Sequence, residues 1–265
     1  DIFFFPNDTT EALLPYIVTL HGSYECVVFP PEIIAHLKRQ VTMWVYLTER
    51  NLFHLRDEDN NLPDGNTAFI GNAVTPDPEP FPMNRTELGI ASTDFVVAIA
   101  SRCIPEKGWK QACEAVMKLN RDLTGNHKIH LLLCGTGDEL SRLQDEYGAI
   151  PEIHFLGYQQ HISGLYRLAD CMLLPTRFPG ESFPLTLIQA QQVGTPAIVT
   201  DVGFVCNMMT DNEGRLAGVL LPLETNDGVF QEAIIDALKT VMNPETRERF
   251  SLSSLTCGQR YTMDG

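Results

Sequence analysis

The stretch Pro175-Thr176-Arg177-Phe178-Pro179-Gly180-Glu181-Ser182-Phe183-Pro184-Leu185-Thr186-Leu187-Ile188-Gln189-Ala190 follows the apolar run Cys171-Met172-Leu173-Leu174 and opens a helical pattern. An uninterrupted apolar run of that length predicts a parallel strand buried on both faces. The turn after it presents Gly180, Glu181 and Ser182. Ser182 has the chemistry of a helix N-cap, Pro184 suits a first turn whose amides have no partner, and Leu185, Ile188 and Gln192 recur at helical spacing. A strand end feeding a helix start is where an open α/β sheet receives ligands, because free amides and the helix dipole meet an anion there. A carboxylate beside an anion needs a purpose of its own. Hydroxyl donors of a sugar would give Glu181 one.

Working outward, the same alternation recurs. Phe95-Val96-Val97-Ala98-Ile99-Ala100 reads as a strand, and Ser101-Arg102-Cys103-Ile104-Pro105-Glu106-Lys107-Gly108 leads into a helix from Trp109 to Leu119. Lys128 to Cys134 is a strand, Asp138 to Tyr147 a helix, and Ile153 to Tyr158 a strand with its turn. Ile162, Leu165, Tyr166 and Leu168 mark a short amphipathic helix. Strands follow at Pro196-Ala197-Ile198-Val199 and Gly218-Val219-Leu220-Leu221, then a helix from Val229 to Val241. Short loops in this order imply right-handed crossovers and a parallel sheet, so residues 83–245 are expected to form one complete α/β domain. Gly135-Thr136-Gly137 invites a dinucleotide-binding reading, but Leu140 stands where the fingerprint needs its third glycine, and the turn does not follow the first strand.

The N-terminal part is thinner. Ile2-Phe3-Phe4-Phe5, Tyr16 to Leu20, Val41 to Leu47 and Thr67 to Ile70 read as strands, with helix candidates at Ile33 to Arg39 and Glu49 to Leu55. Residues 1–75 are expected to be a partial domain. Residues 76–82 form a linker in which Pro76, Pro78, Pro80 and Pro82 keep the chain extended, and residues 246–265 form a tail expected to be a crossover helix.

The Glu181 segment, with Gly194-Thr195-Pro196-Ala197-Ile198-Val199-Thr200-Asp201-Val202-Gly203, resembles the signature of the retaining family-4 glycosyltransferases of glycosyl transferases group 1. Their GT-B fold sets two Rossmann-like domains face to face. The resemblance implies an α/β chain with one complete C-terminal Rossmann-like domain and a partial or abbreviated N-terminal one, since no glycine-rich loop precedes Tyr16. It implies that Glu181 reaches the donor sugar. Gln189 stands where the family has a second glutamate, which meets the ribose of the nucleotide. Eight residues advance a helix by about two turns, which would put positions 181 and 189 on the same side; glutamine still bonds hydroxyls, without the strength that charge adds. The resemblance further assigns Arg102 and Lys107 to the donor diphosphate, Gly180, Ser182 and Phe183 to the donor turn, and Gly135, Thr136, Gly157 and Tyr158 to the surroundings of the base. His21, in Thr19-Leu20-His21-Gly22, would close over the sugar from the other domain, and Gly71-Asn72-Ala73-Val74 matches a turn before the linker. The activity implied is transfer of a sugar from a nucleotide-diphosphate sugar to a glycan, lipid-linked or small-molecule acceptor, with retention, no cofactor and no metal. The departing phosphate would deprotonate the acceptor. Arg102→Ala should then slow transfer, and Glu181→Ala should damage turnover more than folding.

Composition sets outer limits. At 265 residues with a formal net charge of −15 and no dense basic run, the chain is a poor partner for nucleic acid or anionic lipid. No apolar run approaches the ~20 residues of a membrane span. Seven cysteines lie without Cys-x-x-Cys spacing, and Cys134 and Cys171 fall in expected buried strands, as free thiols of a reducing, cytoplasmic setting do. A nucleophile elbow at Ser182 fails because Pro184 replaces its closing glycine and every histidine precedes Ser182. Asp57-Glu58-Asp59 has the shape of a metal clamp, yet sits in the polar run Arg56 to Asp64, which reads as a solvated loop. Two other functions fit the same residues: a sugar-nucleotide epimerase of the same architecture, and a catalytically silent nucleotide-sugar-binding protein.

Overall fold

The computed structural model describes residues 16–22, 29–55, 65–125 and 127–263. The strand expected at Ile2-Phe3-Phe4-Phe5, Cys26 and the Asp57-Glu58-Asp59 loop lie outside the described residues. The chain divides into two compact units, residues 1–70 and 71–265.

In the first unit, β1 (Tyr16–Leu20), β2 (Val41–Tyr46) and β3 (Thr67–Phe69) form a parallel sheet in that order. Helix α1 (Pro31–Gln40) starts on a proline, carries Glu32 in its first turn and Lys38 and Arg39 in its last, and so complements its own dipole. Leu37 from α1 joins Leu20, Val41, Trp44, Leu52 and Leu55 in a small core. The segment Glu49–Leu55, expected as a helix, is a 3-10 helix.

The second unit holds β4 (Phe95–Ala100), α2 (Trp109–Asp122), β5 (Ile129–Cys134), α3 (Leu140–Tyr147), β6 (Ile153–Gly157), α4 (Ile162–Leu168), β7 (Cys171–Leu174), α5 (Leu185–Gln192), β8 (Ala197–Thr200), α6 (Val205–Met209), β9 (Gly218–Leu221), α7 (Asp227–Met242) and α8 (Pro244–Gly258). The six strands are parallel throughout, in the order β6-β5-β4-β7-β8-β9. Strands β4, β5, β7 and β8 are buried along their whole length, which is why their sequences lack polar alternation. Phe95, Val97 and Ile99 face a core built with Trp109, Val116, Phe230, Ile234 and Leu238 from α2 and α7. Helices α4 and α5 pack against β4 and β8, and α8 packs on α5. The strand order reverses between β4 and β7. Such a reversal is the place where an open α/β sheet offers a ligand.

Three local expectations are corrected. Ser182 is not the cap of α5. The helix begins at Leu185 with Pro184 at the cap position and no side-chain cap, because the backbone at Ser182 is committed elsewhere: its carbonyl accepts the Phe204 N–H at 2.9 Å. The buried face of α5 is Leu187, Ile188, Ala190 and Gln191, and Leu185 is exposed. Since residues 181–184 are not helical, helical phase does not relate Glu181 to Gln189. The proline-rich segment carries neither helix nor strand and lies against α4, where Arg167 donates to the carbonyls of Asp77 and Glu79, His161 meets Asp77 at 3.0 Å and Phe81 is buried.

Candidate active site

The β4 and β7 loops are joined backbone to backbone. After β4 the chain makes a 3-10 turn, Pro105–Lys107, and leaves it through Gly108 at φ 71°. A side chain on Gly108 would strike the Pro175 carbonyl, so only glycine permits this approach. From the other side the Arg177 N–H donates to the Glu106 carbonyl at 2.6 Å. Trp109, at the start of α2, is buried and donates its indole N–H to Ser101 Oγ at 2.9 Å, which fixes the first residue after β4.

These constraints bring together charges that lie far apart in the chain. The Lys107 ammonium is hydrogen-bonded to the Glu181 carboxylate, with side-chain exposures of only 10% and 12%. The Phe178 ring lies beneath two cations: Arg102 Cζ is 5.3 Å and Lys107 Nζ 5.2 Å from its centroid. The turn from Thr176 to Glu181 wraps this ring. Phe178 donates its N–H to Thr176 Oγ1, and its carbonyl accepts the Glu181 N–H. Gly180 leaves room for it, since a Cβ there would come within 2.7 Å of the ring. Behind the turn, Gly203 at φ 58° presses its backbone against Glu181 and Ser182 from the β8 loop. Between the cations of the β4 loop, burial pushes the Cys103 thiol up to about 11, so it offers no thiolate.

The β5 and β6 loops close the same edge. The Cys103 N–H donates to the Thr136 carbonyl, and Gly135 donates to the Gly157 carbonyl at 2.7 Å. A side chain on Gly135 or Gly137 would collide with the backbone of Ser101 or Cys103. These glycines therefore serve close packing of loop on loop. Thr136 and Tyr158 are exposed beside them.

The structure thus gathers Arg102, Lys107, Gly180 and Glu181 around one ring and sets Gly135, Thr136, Gly157 and Tyr158 on the adjoining loops. Ser182 is buried in the turn, and Gln189 is half-buried on α5. Phe183 departs from its expected place: its ring is buried against Phe204 and Tyr261, both at 5.4 Å, because an aromatic this large is worth more in the core than at the rim. His21 belongs to the first unit, exposed at the carboxyl end of β1. There the buried Asn51 accepts N–H bonds from Leu47 and Thr48 and donates to the Gly22 carbonyl.

Other supports were not foreseen from sequence. Asn72 donates to the Phe183 carbonyl at 2.9 Å. Arg177 pairs with Asp227 at 2.8 Å, and that guanidinium holds the Asp227 carboxyl below its ordinary range. Among the described residues, no three His, Cys, Asp or Glu side chains converge as a metal site, and no helix is long and apolar enough to cross a membrane.

A sequence profile of the glycosyl transferases group 1 matches residues 81–253. The D-inositol 3-phosphate glycosyltransferase of Corynebacterium glutamicum (strain R) is 33% identical over 177 residues, covering 63% of this chain and 40% of that protein. The phosphatidyl-myo-inositol mannosyltransferase of Mycobacterium leprae (strain TN) is 29% identical over 136 residues, 50% of this chain and 34% of that one. This chain spans about 40% of the length of the inositol phosphate relatives it matches. HepE of Anabaena, solved in complex with UDP-glucose, aligns with a TM-score of 0.71 at 18% identity, over 94% of this chain and 68% of HepE. Sucrose-phosphate synthase of Thermosynechococcus elongatus gives a TM-score of 0.70 at 18% identity, over 94% and 64%. These solved structures share the GT-B fold, and with the family profile covering more than half its length, the chain belongs to the glycosyl transferases group 1.

Proposed function

We propose that the chain carries the donor half of a glycosyltransferase that moves a sugar from a nucleotide-diphosphate sugar to an acceptor hydroxyl with retention of configuration. The observation that carries this reading is the convergence of Arg102, Lys107 and Glu181 on Phe178 at the sheet's switch point. Arg102 and Lys107 hold the diphosphate. As the glycosidic bond breaks, that leaving group gains negative charge, and fixed cations stabilise it. In this reading the protein's own side chains supply that charge, and no metal is required. Glu181 accepts hydrogen bonds from sugar hydroxyls while keeping Lys107 in place, the Gly180-Glu181-Ser182 turn seats the sugar and its phosphate, and Gln189 meets the ribose. Attack comes from the face the leaving group departs, so the departing phosphate takes the acceptor proton, consistent with a single carboxylate at the turn.

The names of the relatives put inositol phosphates among the first acceptors to try. A cytoplasmic setting, where nucleotide sugars are made, belongs to the same proposal. The silent-binder reading draws its support from Gln189, which lacks the charge of the family's glutamate. A thermal-shift screen of nucleoside diphosphates and their sugars, followed by transfer assays, tests both. The parent should bind a nucleoside diphosphate and transfer its sugar, and Arg102→Ala should slow transfer about 100-fold, the scale of one lost transition-state contact. Binding without hydrolysis or transfer across an acceptor panel would favour the silent binder; transfer by Arg102→Ala at the parent rate would end the assignment.

A further inference from the structure

We infer that Phe178 is a positioning residue for the donor diphosphate: its ring holds Arg102 and Lys107 in register so that two like charges converge on one anion. This rests on the reading of those two cations as diphosphate ligands. Lys107 has a carboxylate partner in Glu181. Arg102 has neither a hydrogen bond nor an ion pair from its side chain among the described residues, and its guanidinium is recorded only over the Phe178 ring, 5.3 Å from the centroid. A guanidinium has five N–H donors in a planar fork, and a flexible stem would otherwise scatter them. The face of an aromatic ring attracts a cation without consuming those donors. Phe178 therefore orients Arg102 while leaving its whole hydrogen-bonding capacity for phosphate oxygens, which a carboxylate partner would not do. The same ring attracts Lys107 at 5.2 Å and offsets part of the repulsion between the cations. The surrounding turn is built to hold the ring there: the Thr176 hydroxyl and the Glu181 N–H bracket its backbone, and Gly180 is kept free of a side chain that would meet it at 2.7 Å.

The test is titration calorimetry of the full chain with UDP, GDP, ADP and dTDP, using whichever binds the parent. Phe178→Leu should weaken that binding about tenfold, equivalent to about 1.4 kcal/mol, and Phe178→Tyr should restore it to within about twofold. In an Arg102→Ala background the Phe178→Leu loss should shrink to under about threefold, an outcome that a merely structural role would not give. Should Phe178→Leu fail to fold, Phe178→Met, of similar volume and without a ring, takes its place. If Phe178→Leu binds as the parent does, or loses as much without Arg102 as with it, the role of Phe178 is overturned while the reading of the site stands. If the parent binds none of the four, the reading of the site falls and Phe178's role with it.

Discussion

Removing either partner of the Lys107–Glu181 pair should destabilise the second unit, and removing both should cost less than removing one. The side chains are 10% and 12% exposed, so each charge has given up most of its water. Two charges about 4 Å apart attract by about 4 kcal/mol at an effective dielectric of about 20. Desolvation takes most of that back, so the intact pair contributes little net. A single deletion forfeits the attraction and leaves the desolvation. For a fully buried pair this costs about 3–5 kcal/mol; the remaining exposure lowers it here to about 2–3. The two deletions are unequal. Lys107→Met leaves the carboxylate with Arg102 nearby on the same ring, whereas Glu181→Gln leaves two cations sharing one ring with no anion. Glu181→Gln should therefore be the worse, lowering the melting temperature by about 5–10 °C at about 2–4 °C per kcal/mol for a domain of this size. Urea unfolding of the parent, both singles and the double Lys107→Met/Glu181→Gln closes the cycle. The expected coupling is about 2 kcal/mol; a value within about 0.5 kcal/mol of zero would refute the argument. The same geometry revises what the sequence led one to expect of Glu181→Ala: folding should suffer along with turnover.

Two further predictions concern the frame. Gly203→Ala should destabilise the unit by more than about 1 kcal/mol and impair donor binding, because φ is 58° and a Cβ would sit 2.5 Å from the Glu181 carbonyl; chemical denaturation with a binding assay checks it, and an unchanged turn would contradict it. Remote from the site, His130 bridges Asp94 at 3.2 Å and His154 at 3.0 Å. Burial, then the neighbouring His130, holds the His154 imidazole below its ordinary 6.5. As pH falls below about 6.5 the unfolded chain takes up this proton first, so stability falls. His154→Gln should flatten that decline, read as urea midpoints between pH 7 and 5.5; an identical slope in the variant would exclude His154 as its source. Asp94 adds a separate loss at lower pH. Burial alone would raise its pKa, but the Lys128 and Ala91 N–H donors and the adjacent His130 hold it below 3.8, so its contribution disappears as the carboxylate protonates.

Most of the second unit was legible because its strands are short, unbroken apolar runs and its helices carry a period that tertiary packing did not have to override. Phe95 to Ala100 and Cys171 to Leu174 match their strands residue for residue. What failed was decided by contacts distant in sequence. Ser182 reads as a cap locally, yet its carbonyl is taken by Phe204. Phe183 and Phe178 are two phenylalanines in one turn, one buried against Tyr261 and the other half-buried under cations, and nothing in their local pattern separates them. The pairing of Lys107 with Glu181 is invisible locally, because 73 intervening positions separate them. The glycines gave a usable signal. Gly108, Gly137 and Gly203 each stand where one loop's backbone meets another's, and glycines recurring in the loops after β4, β5 and β8 mark loops that converge.

The electrostatics of the site follow from that convergence. A chain of formal net charge −15 repels a nucleotide diphosphate at long range, so under the proposed function attraction would have to be local and begin within about 8–10 Å, the screening length of physiological salt. Of the three cations on the β4 and β7 loops, Lys107 faces Glu181 and Arg177 faces Asp227; Arg102 has no carboxylate partner among the described residues. Under the proposed function, first capture of the diphosphate would therefore fall to Arg102. Lys107 would then share its three protons between Glu181 and the phosphate oxygens, leaving the remaining carboxylate lone pairs to the sugar. On that proposal the two roles that the sequence assigned to separate residues meet in one ion pair, so diphosphate binding and sugar recognition would be coupled through the Lys107–Glu181 hydrogen bond.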